Sequence, residues 1–301
     1  MKRILCAGMA VADIPIRPVP NNAFTCDTVD VEPLRILTGG DALNESIVLR
    51  RLGVDCALHA CVGRDLWGDC VMSVLKREDV DTRFVSRLDD CPTTTSVILI
   101  EPSGERHFLV SHGSMDRFTI RIDPAMKDYD IASIGSLWGL PGLAIEDLKA
   151  FSDFAHANGI RIAADFMADS AHQGMDYIRA ALKLVDDIFP SYDEGVGITG
   201  EKEPERILRA LSKMGPEHIV MKLGAQGCIA LVDGKVYRQP SLAGKVVDTT
   251  GAGDNFVGTY LACMARDMDA GQSLLIASRA AAECVAELGA TGARYTFEDL
   301  L

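Results

Sequence analysis

Residues 248–258 read DTTGAGDNFVG, with two glycines around an alanine and an aspartate directly after them. An apolar-periodic segment, NFVGTYLACMA, follows, so Gly251, Ala252 and Gly253 lie at the start of a predicted helix. Unpaired backbone N–H groups and the helix dipole both favour an anion at such a start. The stretch therefore indicates either a phosphate-holding loop with a catalytic aspartate, Asp254, or a glycine turn whose aspartate only complements the helix dipole.

Two other glycine motifs that bind phosphate do not fit the chain. The P-loop pattern G-x-x-x-x-G-K-[ST] does not occur in it, and the dinucleotide pattern G-x-G-x-x-G fails because Phe256 stands where the third glycine is required. A P-loop enzyme or a dehydrogenase is therefore not indicated.

Apolar runs typical of buried strands alternate with amphipathic segments typical of helices. This alternation predicts an α/β fold whose central sheet is mostly parallel and covered by helices on both faces. From Gly253 to Leu288 the pattern predicts two Ala-rich helices that separate near Asp269–Gly271. The runs predicted as strands are residues 3–11, 56–63, 129–135, 160–165, 185–190 and 218–224.

Two segments interrupt this alternation. Residues 12–38 contain four prolines and no helical period, and residues 93–113 predict two strands joined by a turn at Pro102–Gly104. We expect both segments to form a small β-sheet that projects from the main sheet. Because no repeat or charged linker is found, residues 1–301 are predicted to form a single domain.

Composition excludes some partners. A formal charge of −13 argues against nucleic acid or an anionic membrane surface, since such binding depends on Lys and Arg. Nine scattered cysteines without a C-x-x-C pair fit free, mostly buried thiols. Without a signal-peptide pattern or a membrane-spanning apolar run, a cytoplasmic protein is expected.

A second glycine motif begins the first predicted helix, in TGGDALNESIVLRRLG at residues 38–53. Gly39 and Gly40 precede the helix, and Asp41 and Asn44 lie in its first turns. Bare backbone and small polar side chains suit a polyhydroxy ligand, although the same letters fit an ordinary glycine turn.

Together, the GG-x-x-x-N helix start and the D-T-x-G-A-G-D motif resemble the PfkB or ribokinase-like family of carbohydrate and nucleoside kinases. The resemblance spans nearly the whole chain and includes the interrupting segments, which match the β-sheet lid of that family. It implies a three-layer ribokinase-like fold with a lid. It also implies transfer of the γ-phosphate of ATP to a primary hydroxyl of a small sugar such as ribose or fructose.

The resemblance also implies residue roles. Asp254 is expected to be the base that takes the proton of the acceptor hydroxyl, and Gly251–Gly253 the anion hole for the transferred group. The residues expected to bind the sugar are Asp13, Gly39, Gly40 and Asn44.

For the nucleotide, KLGAQGC at residues 222–228 resembles the strand and loop beneath ATP. The residues assigned there are Lys222, Gly224, Gly227 and Thr249. Glu194 is expected to organise Mg²⁺ through water, although Ser191 replaces the asparagine that is common in the family. Asp248 and Thr250, with the region around residues 284–289, match a site for K⁺.

Some features leave the substrate open. The family segment D-P-x-x-R is replaced by DFMADSAHQG after Asp165, and Trp138 suits either a sugar contact or the core. Basic residues in the lid segments would serve a phosphorylated sugar. These are Arg17, Arg35 and Arg106.

Two other functions stay open, a nucleoside kinase of the same family and a ligand-binding pseudokinase. The intact Asp254 motif counts against the pseudokinase. The apolar run SVILI at residues 96–100 predicts a homodimer that forms through the lid.

Overall fold

The computed structural model describes residues 1–103, 105–169 and 171–301. The strands in this part of the chain are β1 (Ile4–Ala7), β2 (Val11–Ile16), β3 (Leu37–Gly39), β4 (Cys56–Gly63), β5 (Asp81–Leu88), β6 (Thr95–Ile100), β7 (Arg106–Ser111), β8 (Ile131–Leu137), β9 (Arg161–Phe166), β10 (Asp187–Phe189), β11 (His218–Lys222), β12 (Cys228–Val232) and β13 (Lys235–Gln239). The helices are α1 (Asp41–Arg51), α2 (Leu66–Arg77), α3 (Ile145–Ala157), α4 (Gly174–Ala181), α5 (Tyr192–Thr199), α6 (Pro204–Ser212), α7 (Ala252–Met264) and α8 (Ala270–Val285).

The main sheet has nine strands in the order β13-β12-β11-β10-β9-β8-β1-β4-β5. The strands from β11 to β5 are parallel to one another, and β12 and β13 are added antiparallel at one edge. Every residue of β4 is buried, as expected for a parallel strand covered on both faces.

Helices cover both faces of this sheet. Helices α1, α2, α7 and α8 pack on one face, around a core that includes Leu43 and Val257. Helices α3 to α6 pack on the other face, around Phe151 and Leu208. The predicted three-layer α/β architecture is confirmed.

The first predicted strand, residues 3–11, is wrong as one element. The chain leaves the main sheet after Ala7 and begins β2 at Val11, in a second sheet. Gly8 between them has φ 152°, and a Cβ there would lie 2.7 Å from the Gly135 carbonyl oxygen. Asp13, two residues after the first predicted strand, therefore belongs to β2 of this second sheet and not to the end of a main-sheet strand.

The second sheet, called the lid sheet below, has the order β3-β2-β6-β7. Strands β2 and β3 come from residues 12–38, apart from Val11 and Gly39 at their ends, and β6 and β7 come from residues 93–113. The predicted lid is confirmed in both segments. The turn predicted at Pro102–Gly104 includes Gly104, which lies outside the described residues.

Some elements were not predicted. The hairpin of β12 and β13 turns at Asp233-Gly234, a pair with φ 49° and φ 72°, and a D-G pair between apolar runs is the usual sequence signal for such a turn. Helix α5 contains Gly195 and Gly197, which weaken its helical pattern. Strand β5 has few fully buried positions and therefore no continuous apolar run.

All nine cysteines are free, and six of them are buried. The prediction of free, mostly buried thiols is confirmed, and Cys26 is the exposed exception. No helix among the described residues has the length and apolar character needed to cross a lipid bilayer.

Candidate active site

The loop before α7 is fixed by backbone geometry. Gly251 has φ 76°, and a Cβ there would lie 2.4 Å from the Cα of Ala290. The side-chain amide of Asn255 donates to the carbonyls of Gly251 (2.8 Å) and Ala290 (2.7 Å). These contacts fix the loop at which α7 begins, and a helix start is where backbone N–H groups can bind an anion. Asn255 was not predicted, and an asparagine directly after Asp254 carries no distinctive signal.

Asp254 lies in the first turn of α7, partly buried, and meets α1. The Asn44 amide donates to Asp254 Oδ2 over 2.6 Å. The other Asn44 atom, Oδ1, is buried without a partner among the described residues. The two glycine motifs, about two hundred residues apart in sequence, thus form one site.

Asp13 faces the same site from the lid sheet. Its carboxylate lies over Gly39, where a Cβ would be only 2.2 Å from Asp13 Oδ2. Gly40 has φ 90°, and a Cβ there would lie 2.6 Å from the Met9 carbonyl oxygen. Burial, and then the charge of Asp254, raise the pKa of Asp13 to about 7. The structure therefore brings together all four residues predicted to bind the sugar.

Two further acids lie beside Asp254. One carboxylate oxygen from each of Asp41, Asp165 and Asp254 lies within 4.8 Å of the others. Lys222 Nζ donates to Asp165 Oδ1 over 2.5 Å, and a Cβ on Gly253 would lie 3.4 Å from the same Nζ. Asp165 was not predicted as a site residue, although it closes the buried run IRIAAD at the carboxyl end of a parallel strand, where such sheets bind ligands.

This clustering shifts the pKa values of Asp254, Asp41 and Lys222. Burial raises the pKa of Asp254, and Asp165 adds to the rise, whereas the Asn44 hydrogen bond opposes it. Burial, Asp254 and Asp165 raise the pKa of Asp41 well above its usual range. Burial lowers the pKa of Lys222, but Asp165 and Glu194 outweigh it, so the net shift is upward and Lys222 is an ammonium. The site therefore holds three buried or partly buried carboxylate groups, more than the single positive charge of Lys222 can neutralise.

Glu194 lies in the first turn of α5, where it forms a capping box with Ser191. Its Oε2 accepts from the Ser191 N–H over 2.7 Å, and Ser191 Oγ accepts from the Glu194 N–H over 3.3 Å. Ser191 thus serves as the helix cap in the place of the family asparagine. Glu194 Oε2 is engaged in this box, so a metal-bound water would use the other oxygen.

A cavity of about 540 Å³ opens beside the start of α7. It is lined on its apolar side by Phe256, Ala281 and Val285. The four residues predicted to bind the nucleotide all line it, namely Lys222, Gly224, Gly227 and Thr249. Gly227 has φ 90°, and a Cβ there would lie 2.1 Å from the Gln239 carbonyl oxygen, so this position requires glycine.

The residues predicted to bind K⁺ meet an arginine of the lid sheet. Arg106 donates to Asp248 Oδ1 (3.2 Å), to Thr249 Oγ1 (2.6 Å) and to Thr250 Oγ1. Among the other lid arginines, Arg17 is paired with Glu32 over 2.8 Å, and Arg35 is exposed.

The side chain of Trp138 lies in the core. This side chain is 7% exposed, and Nε1 donates to the Gly174 carbonyl over 3.2 Å. Trp138 and Ser136 have φ 80° and φ 58°, and Ser136 donates to Asp41. Of the two predicted roles, the core position is the one observed. Ser170, in the unusual DFMADSAHQG segment, lies outside the described residues.

The fold and this site define a kinase that acts on a small molecule. The chain belongs to the pfkB family of carbohydrate kinases, whose family model matches residues 1–295. The predicted family is thus confirmed.

Comparisons with individual proteins also find kinases. The chain is 25% identical over 260 residues to fructosamine kinase FrlD of Bacillus subtilis, covering 86% of this chain and 87% of that one. It is 30% identical over 253 residues to an uncharacterized sugar kinase of Archaeoglobus fulgidus, covering 80% and 96%. Its fold is similar to that of Arabidopsis thaliana ribokinase complexed with ribose and ATP, with a TM-score of 0.83, 22% identity and coverage of 99% and 97%.

Replacing Gly39 by alanine tests the contact between Gly39 and Asp13. The new Cβ, 2.2 Å from Asp13 Oδ2, displaces that carboxylate. We expect kcat/KM for the sugar to fall about 10²-fold, as for a catalytic or binding group moved by about 1 Å. A coupled ADP-release assay measures this. The control is Gly197→Ala in α5, where a Cβ meets nothing within 4 Å. Equal activity of the two variants would contradict the assignment.

Proposed function

We propose that this carbohydrate kinase transfers the γ-phosphate of ATP to a primary hydroxyl of a small, unphosphorylated sugar. The observation that carries the proposal is the position of Asp254, which joins the anion hole to the residues around Asn44 and Asp13. The cavity lined by Lys222, Gly253 and Thr249 suits ATP. Its phosphates would then meet the acceptor at the start of α7.

Asp254 acts as the general base. Phosphoryl transfer has a loose transition state, so a positioned carboxylate suffices to accept the hydroxyl proton. Asn44 holds this carboxylate by its 2.6 Å hydrogen bond and orients one oxygen. The N–H groups of Gly251–Gly253 stabilise the charge on the transferred group.

Lys222 serves as a second positive group. Its Nζ lies next to Gly253 and donates to Asp165, so a phosphate in the anion hole would be within its reach. Because its pKa is raised, the ammonium stays charged and can bind the phosphate oxygens.

Mg²⁺ fits the carboxylates of this site. The excess of buried acid at Asp41, Asp165 and Asp254 calls for a cation, and carboxylate oxygens are the ligands that Mg²⁺ prefers. Asp165 and Glu194 would hold the ion, directly or through water. When bound, Mg²⁺ neutralises charge on the β- and γ-phosphates.

The charges around the acceptor favour a neutral sugar over a sugar phosphate. Asp13, Asp41 and Asp254 are acids, which can bind hydroxyl groups but offer a second phosphate no positive charge. Arg17 and Arg106 already bind Glu32 and the Asp248–Thr250 segment. A phosphorylated acceptor that used Arg17 or Arg106 would therefore have to break one of these contacts.

Three expectations from the sequence stay predictions. These are the single domain over residues 1–301, the cytoplasmic location and activation by K⁺. The contacts of Arg106 with Asp248 and Thr250 argue against K⁺.

The first experiment is an ADP-release screen of sugars, sugar phosphates and nucleosides with ATP and Mg²⁺. We expect a neutral sugar to be the best acceptor, with kcat/KM about 10²-fold or more above that of its phosphate, because like charges placed together cost several kcal/mol. A phosphorylated sugar or a nucleoside as the best acceptor would contradict this substrate class. ATP binding without turnover of any acceptor would instead favour the pseudokinase.

Replacing Asp254 by asparagine tests the general base. The amide keeps the shape but cannot take the proton, so kcat is expected to fall about 10²- to 10⁴-fold. ATP affinity, measured by titration calorimetry, should stay within a few-fold. The control is Asp176→Asn, because Asp176 is also a first-turn acid, exposed in α4. If Asp254→Asn behaves like this control, Asp254 only complements the helix dipole.

We also propose that the protein forms a homodimer through the lid sheet. The predicted surface, residues 96–100, is the inner strand β6, whereas Phe108, Leu109 and Val110 on the edge strand β7 are 52%, 56% and 46% exposed. An open apolar edge strand favours pairing. Light scattering should give a dimer and Leu109→Lys a monomer. A monomeric parent protein would refute the proposal.

A further inference from the structure

Arg106 binds three consecutive residues of the segment that leads into the anion hole. Its guanidinium donates to the side chains of Asp248, Thr249 and Thr250, as described above. Arg106 is 26% exposed and Asp248 only 7%, so the ion pair is partly shielded from water. Arg106 comes from β7, the far strand of the lid sheet, whereas the segment belongs to the main body of the protein.

The oxygens of this segment already have partners. Asp248 Oδ1 accepts from the Thr250 N–H (2.9 Å), the Thr250 hydroxyl (2.7 Å) and Arg106, and Oδ2 accepts from the Gly289 N–H (2.9 Å). The Thr250 carbonyl accepts from the Cys284 thiol over 3.4 Å. A bare cation needs several such oxygens free. The residues predicted to bind K⁺ therefore do not fit the ion while Arg106 is in place.

The charge of Asp248 still needs a cation. Burial raises its pKa, but the hydrogen bonds from Thr250 and Gly289 and the charge of Arg106 outweigh this, so the net shift is downward. Asp248 is thus an anion, and the guanidinium compensates it. A guanidinium keeps its charge at every physiological pH, and its planar fork binds several acceptors at once.

The segment has a second set of contacts, from the protein body. The N–H groups of Val247 and Asp248 donate to the Val285 carbonyl over 2.7 Å and 3.2 Å. These contacts fix the start of the segment but leave the side chains of Thr249 and Thr250 to Arg106. Gly251, the first residue of the anion hole, follows directly. A residue of the lid sheet therefore holds the side chains next to the anion hole.

We infer that Arg106 is the built-in cation of the Asp248–Thr250 segment and takes the place of a monovalent metal ion. The guanidinium compensates the charge of Asp248 and holds the side chains of Thr249 and Thr250, directly before the anion hole. Arg106 is a positioning residue, since it contacts the loop and no reacting atom. The inference rests on the proposed kinase activity.

The test compares the parent protein with Arg106→Ala in chloride salts of K⁺, Na⁺ and tetramethylammonium at equal ionic strength. We expect the parent kcat to be the same in all three salts within about twofold, because its cation is built in. In tetramethylammonium, Arg106→Ala should lose about 10- to 100-fold in kcat, the effect of a lost charge-assisted hydrogen bond. K⁺ should restore part of that loss, since it can enter the vacated site.

A second readout does not depend on turnover. K⁺ should raise the melting temperature of Arg106→Ala relative to tetramethylammonium, and leave that of the parent unchanged. Arg106→Lys keeps a cation at the segment and should remain insensitive to K⁺, with a smaller loss of kcat. The control is His107→Ala, because His107 lies on the same strand and binds Glu101 within the lid (3.0 Å).

Three results would overturn the inference. They are a parent enzyme that K⁺ activates strongly, an Arg106→Ala variant with the kcat of His107→Ala, and a loss in Arg106→Ala that K⁺ restores in neither kcat nor melting temperature. A parent protein that turns over no acceptor would instead refute the proposed function, and the melting temperatures in K⁺ would still report on the cation site.

Discussion

The close approach of Gly251 to Ala290, with the Asn255 amide bonded to both carbonyls, is the contact on which the site depends. It fixes where α7 begins and therefore where the first-turn N–H groups point. Asp254, three residues after Gly251, faces α1 and accepts a hydrogen bond from the Asn44 amide there. A side chain larger than hydrogen at position 251 would meet the Cα of Ala290, so this close approach requires glycine.

Three carboxylate groups lie close together beside this loop, shielded from water. Carboxylates that are close together and shielded from water destabilise a fold, because each raises the pKa of the next. Here Asp41, Asp165 and Asp254 are kept together with a single ammonium, Lys222, among them. Proteins retain such local conflicts mainly where a ligand resolves them. The anions and cations of phosphoryl transfer are ligands of that kind.

Much of the fold and of the candidate site could be predicted from the sequence, because local sequence patterns determine those parts. The two glycine motifs identified Asp254, Asn44 and Gly39, and the alternation of runs indicated the three-layer fold. Asp165 was missed, since its pairing with Lys222 depends on the packing of β9 against β10 and β11, which no local pattern encodes. The same holds for Arg106, because a strand arginine more often faces solvent and only the lid position brings it to Asp248.

The lid sheet contributes residues to two separate parts of the site. The chain passes directly from β1 in the main sheet through Gly8 into β2, the strand that carries Asp13. Neighbouring strands are about 4.8 Å apart, which puts β7, with Arg106, roughly 10 Å across the sheet from β2. One small sheet therefore reaches both Gly39, at the start of α1, and the Asp248–Thr250 segment, at the start of α7.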